Sequence, residues 1–307
     1  MAERLFRVLS LDGGGAKGFY TLGVLREIEA MIGCPIHEKF DLIFGTSTGA
    51  IIASLLSLGK GVEEILALYS EHVPTVMRKS WPWSKSAALS ELSETIYGEA
   101  SFEDVKTYIG IVATRWVEER PMIFKADAAQ AHGRKSSFTP GFGVKIKDAV
   151  QASCSAYPMF RRKTVTTDKG EMIELIDGGF AANNPTLYAI AEATIALKVP
   201  PEQVRVVSLG VGTYPPTKRI WTKEYWFGKS PGVKLAQKSL EINSQSMEQL
   251  RDVLYKHVPT VRISDEFSQP EMATDMFEHD VKRLNLLLQQ GRESFSAEEK
   301  KLKEYLL

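Results

Sequence analysis

Two short, unbroken apolar runs open the chain, and each is followed at once by a glycine-rich turn and a segment of helical period. Residues 6–11 are β-rich and continuous, as in a parallel strand buried on both faces. Residues 19–31 carry Leu22, Leu25 and Ile28 at the spacing of one buried helix face. Gly33 and Pro35 close that helix. Residues 42–44 predict a second buried strand, and residues 50–58 a second, strongly apolar helix. The order strand, glycine loop, helix, strand, sharp turn, helix implies an α/β fold with a mostly parallel sheet and right-handed crossovers.

Further along, the pattern predicts a helix over 62–72 and a less regular stretch over 73–100. A strand over 108–117 turns at 118–121 into another over 122–126. An amphipathic helix follows over 142–154. Residues 161–166 and 171–176 read as a hairpin joined by Asp168-Lys169-Gly170. Asn183 or Asn184 caps a helix over 186–198 with Pro185 as its first residue, and residues 204–212 form another buried strand. The tail predicts a long helix over 234–257, a strand within 258–263, and two helices over 278–290 and 296–306. The last begins at a capping box, Ser296 with Glu299. Without repeats, low-complexity tracts or a linker, the simplest organisation is one domain. Residues 1–213 form its core, and a helical extension, 214–307, packs on it.

Composition narrows the function classes. The 307 residues balance to a net charge of zero, so no global field draws the chain to DNA or RNA. Two cysteines, Cys34 and Cys154, are too few for a disulfide framework and read as core residues. The N-terminus lacks the apolar core of a signal peptide, and no run has the length of a spanning helix. The expectation is a cytoplasmic protein that meets membranes peripherally, at their inner face.

The chemistry concentrates at three places. Gly45-Thr46-Ser47-Thr48-Gly49 matches G-x-S-x-G between a strand and a helix, the setting of a nucleophile elbow. Asp12-Gly13-Gly14-Gly15-Ala16-Lys17-Gly18 follows the first strand. It fits the dinucleotide fingerprint, but no acid ends the second strand; it fails as a P-loop, because no G-K-[ST] closes it. As an oxyanion hole, the amides of Gly13, Gly14 and Gly15, with that of Thr48, would face a carbonyl oxygen gaining charge. Lys17 would brace the loop. Asp177-Gly178-Gly179 puts a carboxylate at the carboxyl end of a strand, where α/β sheets carry functional groups. His257 and His279 follow Asp177 in the order of a triad but sit in helix-like surroundings. No metal-ligand spacing is present. Of the five tryptophans, Trp81 and Trp83, and Trp221 and Trp226, lie in two aromatic–basic clusters. Such clusters suit a water–lipid interface or a surface that stacks on bases, or are exposed loops folded back on the body.

Together, Asp12 to Gly18, Gly45 to Gly49 and Asp177 to Gly179 resemble the three signatures of the patatin-like phospholipases. Residues 152–160, Ala181-Ala182-Asn183-Asn184-Pro185 and Leu209-Gly210-Val211-Gly212 are similar as well. The resemblance spans about residues 6–213. It implies a three-layer patatin-like fold and a Ser47–Asp177 dyad without histidine or metal, cleaving fatty acyl esters of phospholipids. The chain is also similar to the phospholipase effectors of cyclic-oligonucleotide antiphage signalling. That implies no cofactor, a cyclic dinucleotide activator and a phospholipid membrane surface as partners. Self-assembly is a natural control for an enzyme dangerous to its host, so a homo-oligomer is a further expectation. Two alternatives stay open: a general lipase or thioesterase with the same dyad, and a non-catalytic nucleotide-binding module built on the glycine loop.

Overall fold

A computed structural model describes residues 4–133, 135–216 and 231–307. Its centre is an 8-stranded sheet. The strands are β1 (Phe6–Leu11), β2 (Leu42–Thr46), β3 (Tyr108–Arg115), β4 (Arg120–Lys125), β5 (Lys163–Thr166), β6 (Met172–Asp177), β7 (Val204–Leu209) and β8 (Thr260–Ile263). They run in the order β5-β6-β3-β2-β1-β7-β8, with β4 against β3. The stretch from β3 to β8 is parallel. The ladders of β4, β5 and β6 are antiparallel. The tail beyond residue 213 therefore contributes a strand of the central sheet as well as helices.

The helices are α1 (Gly18–Ile32), α2 (Ile36–Lys39), α3 (Thr48–Ser57), α4 (Val62–Arg78), α5 (Pro82–Tyr97), α6 (Ile146–Ser153), α7 (Gly179–Ala182) and α8 (Thr186–Ala191). A long helix, Pro231–Leu254, and a C-terminal helix, Val281–Leu306, complete the set. The unbroken apolar runs of β1 and β2 reflect two cores. Leu9, Leu11 and Ile43 pack with α1 and α3 on one face. Val8, Leu42 and Phe44 pack with Ala189 and Ile190 of α8 on the other. Among the described residues no helix is long and apolar enough to cross a membrane.

Several local expectations are corrected. The irregular stretch is helical: α4 continues through Pro74 to Arg78, and α5 starts at Pro82. Pro82 occupies the first helical position, where its missing N–H removes no bond. The helix expected over 142–154 starts only at Ile146, because Gly141, Phe142 and Gly143 adopt positive φ. The helix over 186–198 is α8 followed by a π-helical turn, Glu192–Ala196. The two terminal helices are one, Val281–Leu306, capped by the Asp280 carboxylate. Ser296 is inside it and donates to Arg292 O instead of capping. Gly291 does not break the helix; it lets α1 approach. A Cβ there would lie 2.0 Å from Tyr20 O, and one at Gly23 would lie 2.1 Å from Leu288 O.

Candidate active site

Ser47 stands where β2 turns into α3, with φ 53° and ψ −121°. A side chain in that conformation stores on the order of 1–3 kcal/mol of strain. The flanking glycines make it reachable. A Cβ on Gly45 would sit 2.3 Å from Gly49 O, and one on Gly49 would sit 2.2 Å from Leu11 O. Ser153, at the end of α6, fixes the turn from below. Its hydroxyl accepts from Ser47 N at 2.8 Å and donates to Val112 O at 2.6 Å.

The ladders explain how Asp177 arrives. β4 covers one edge of β3 from Gly110 to Arg115. Along the other edge, β2 ends at Thr46 opposite Val112, and β6 ends at Asp177 opposite the next residue, Ala113. The two strands run in opposite directions and so meet carboxyl end to carboxyl end. At that junction Ser47 Oγ donates to Asp177 Oδ2 at 2.7 Å. Gly179 N donates to the other carboxylate oxygen at 2.7 Å. Asp177 N donates to Ser155 O at 3.0 Å, and Thr114 Oγ1 donates to Asp177 O at 3.0 Å. Both groups are buried, Ser47 being 7 % exposed. Burial pushes the Asp177 carboxyl up from 3.8 to about 7, against the lowering pull of the Gly179 amide and the Ser47 hydroxyl. The result is a carboxylate basic enough to take a proton near neutrality.

The glycine loop is held from elsewhere. Gly13 N donates to Asn183 O at 2.9 Å, and Asn183 Nδ2 returns a bond to Gly13 O at 3.2 Å. Gly13 was expected to offer its amide to an oxyanion; here Asn183 takes that amide and uses it to fix the loop. Gly14, Gly15 and Thr48 have no backbone acceptor for their amides among the described residues. Ala16 N donates to Met276 O at 3.0 Å. Asp12, at the root of the loop, is buried and bonded twice to Arg262 of β8, at 2.9 and 2.6 Å. Arg262 also donates to Ser208 Oγ at 2.8 Å. Burial raises the Asp12 pKa, and the guanidinium opposes that rise. Lys17 is only partly buried, and desolvation lowers its pKa. Gly18 opens α1, and Gly178 N donates to Ser153 O at 3.2 Å.

The histidines do not join this cluster. His279 bonds the Phe277 carbonyl, and His257 lies against Tyr255. Among the described residues no group of three His, Cys, Asp or Glu could hold a metal. Trp81 and Trp83 sit at the start of α5, stacked on each other and exposed. Trp221 and Trp226 lie outside the described residues. Sequence reasoning missed Ser153 and Arg262. Ser153 stands in one of the runs that carry the family resemblance, where it reads as one more residue of a buried helix face. Arg262 has no motif around it.

A family model described as Patatin-like phospholipase matches residues 9–190. The chain is 58% identical over 310 residues to a "cUMP-AMP-activated phospholipase" of Escherichia coli, covering 99% of this chain and 95% of that one. It is 30% identical over 247 residues to a "cGAMP-activated phospholipase" of Escherichia coli strain TW11681, covering 72% of this chain and 67% of the relative. Among solved structures, VipD from Legionella pneumophila superposes with a TM-score of 0.51 at 13% identity, over 99% of this chain and 68% of VipD. At that identity the likeness concerns the fold alone.

Proposed function

Because the chain belongs to the patatin-like phospholipase family, we propose that it hydrolyses fatty acyl esters of membrane phospholipids through Ser47 and Asp177 when a cyclic oligonucleotide activates it. The reading rests on the 2.7 Å hydrogen bond from Ser47 Oγ to a buried carboxylate whose pKa is about 7. As Oγ attacks the ester carbonyl carbon, its proton passes to Asp177 Oδ2. The oxyanion accepts hydrogen bonds from the amides of Gly14, Gly15 and Thr48, each worth about 3 kcal/mol in the transition state. The C–O bond to the glycerol breaks, and Asp177 returns the proton to the departing lysolipid oxygen. Water then attacks the acyl-serine with Asp177 again as base, releasing fatty acid and restoring Ser47.

Activation follows from the relatives' names, which specify cUMP-AMP or cGAMP. The burial of Ser47 supports it, since a closed junction needs opening before a lipid reaches it. We place the activity at the inner membrane face in antiphage signalling, with self-association on activation as part of the same reading. The test is fatty acid release from phospholipid vesicles by wild type and Ser47→Ala, with cyclic UMP–AMP, cyclic GMP–AMP or neither. Release only by wild type with a nucleotide supports the whole reading. Release without nucleotide removes the switch. Release by Ser47→Ala, or none by wild type in any condition, overturns the dyad. Gel filtration with and without nucleotide reads the self-association.

A further inference from the structure

Two exposed aromatic clusters, far apart in sequence, are bridged by a hydrogen bond between residues next to each. In the first, Trp81 and Trp83 stack with ring centroids 5.0 Å apart and planes 10° from parallel, yet remain 55% and 51% exposed. In the second, Arg162 lies over both Trp116 and Tyr157, at 5.0 and 5.6 Å. Met172, 75% exposed, stands on the same face of that ladder: Trp116 N donates to Glu174 O, and Met172 precedes Glu174 by two residues. The clusters are tied together by Ser86, one helical turn after Trp83, whose hydroxyl accepts from Arg161 N at 2.8 Å.

Their position is fixed relative to the dyad. Trp116 follows the last residue of β3, the strand on which Ser47 and Asp177 are aligned. At the other end, Lys85 of α5 lies 5.1 Å over the Phe277 ring, and the neighbouring Met276 holds Ala16 of the glycine loop. The charges around the band differ at its two ends. Arg78, Lys79 and Arg161 are exposed and make no ion pair among the described residues. Near Trp116, the acids Glu118, Glu171 and Glu174 are paired with Arg115 or Arg162.

We infer that this band is the surface by which the protein sits on an anionic phospholipid bilayer, indoles and Met172 in the interfacial layer and Arg78 and Lys79 at the phosphates. Paired indoles half out of the protein cost exposed apolar area in water, and the interfacial region is where an amphipathic ring loses least by staying there. Free cations beside them select an anionic leaflet at about 1 kcal/mol each. The inference rests on the phospholipase reading for the substrate and adds the face through which that substrate is met.

The test measures co-sedimentation with phosphatidylcholine vesicles with and without phosphatidylglycerol, in the presence and absence of cyclic UMP–AMP. Ser47→Ala is the background, so that the vesicles survive. Trp81→Ser/Trp83→Ser and Trp116→Ala/Met172→Ala should each weaken binding about ten-fold. Arg78→Glu/Lys79→Glu, which disturbs no buried group, should weaken binding to anionic vesicles alone, by about 30-fold. Serine labelling by a soluble fluorophosphonate, measured with Ser47 restored, should be unchanged in all three variants. Loss of labelling in wild type would sink the hydrolase reading and leave the vesicle result standing. Vesicle binding that is absent in both nucleotide conditions, or equal to wild type in every variant, would overturn the surface. Unchanged vesicle binding with lost cyclic UMP–AMP binding in the Trp81/Trp83 variant would reassign it to base stacking.

Discussion

The two halves of the candidate site are built in opposite ways. The Ser47 half is mainly local: a five-residue motif, a strained φ of 53° and two glycines whose Cβ atoms would strike backbone oxygens shape the turn, with one distant side chain, Ser153, bonded to Ser47 N. The glycine loop is positioned by partners from three distant segments, namely Asn183, Met276 and Arg262. The first half holds its shape mainly through backbone sterics and the second mainly through polar bonds across the molecule. Changes in the tail should therefore reach the amides of Gly14 and Gly15 while leaving Ser47 and Asp177 in register.

The strongest way to break this contrast is at the dyad. Ser47→Ala and Asp177→Asn should each lower activated fatty acid release by at least about 10⁴-fold, measured on vesicles. Asp177→Asn should at the same time change the pH dependence of stability. The native carboxyl, at about 7, lies above its ordinary 3.8. The folded state therefore holds the proton more tightly than the unfolded chain. Stability from this group is complete below pH 4 and is lost as pH rises through about 7. Thermal melts of Asp177→Asn should match wild type at acid pH and exceed it at pH 8.

Arg262→Met should come next. It leaves the buried Asp12 carboxylate unpaired, which costs about 3–5 kcal/mol in urea unfolding. Activity should also fall when measured where the variant is still folded. Asp12→Asn/Arg262→Met should recover much of the stability, because the uncompensated charge is gone. A pH–rate profile sharpens the comparison further. Wild-type kcat/KM should rise about ten-fold per unit below the inflection and level off above about 7, as Asp177 becomes the free base. Any stable glycine-loop variant should keep that inflection, because burial at the strand junction sets it. A shifted inflection would show that the two halves are coupled. The smallest effect belongs to Asn183→Ala. It removes the side-chain bonds to Gly13 O and Ser244 Oγ but keeps the carbonyl that holds Gly13 N, so it should cost about 1 kcal/mol.

The same division explains what could be read from the sequence. β1, β2 and the elbow are visible in their apolar runs and glycines, since each is dictated by its own residues. The pairing of Ser47 with Asp177 was implied by the family resemblance, but not its cause, the meeting of β2 and β6 along β3. That depends on long-range register, which no local pattern carries. The break expected after residue 290 is absent because Gly291 sits at a close helix crossing, which a one-dimensional pattern does not carry. Gly13 misled because a glycine amide that is free and one that is claimed by Asn183 have the same letters. Arg262 was invisible: its partner lies at the other end of the chain.

The head-on meeting of β2 and β6 has a mechanical consequence. Ser47 and Asp177 are indexed to adjacent residues of one strand, Val112 and Ala113, like two marks on a single ruler. Any bending, twisting or sliding of β3 carries both together and cancels from the gap between them. The spacing of Ser47 and Asp177 is therefore buffered against bending of that one strand. The glycine loop, held by Asn183, Met276 and Arg262, is indexed to other segments and does not share that ruler.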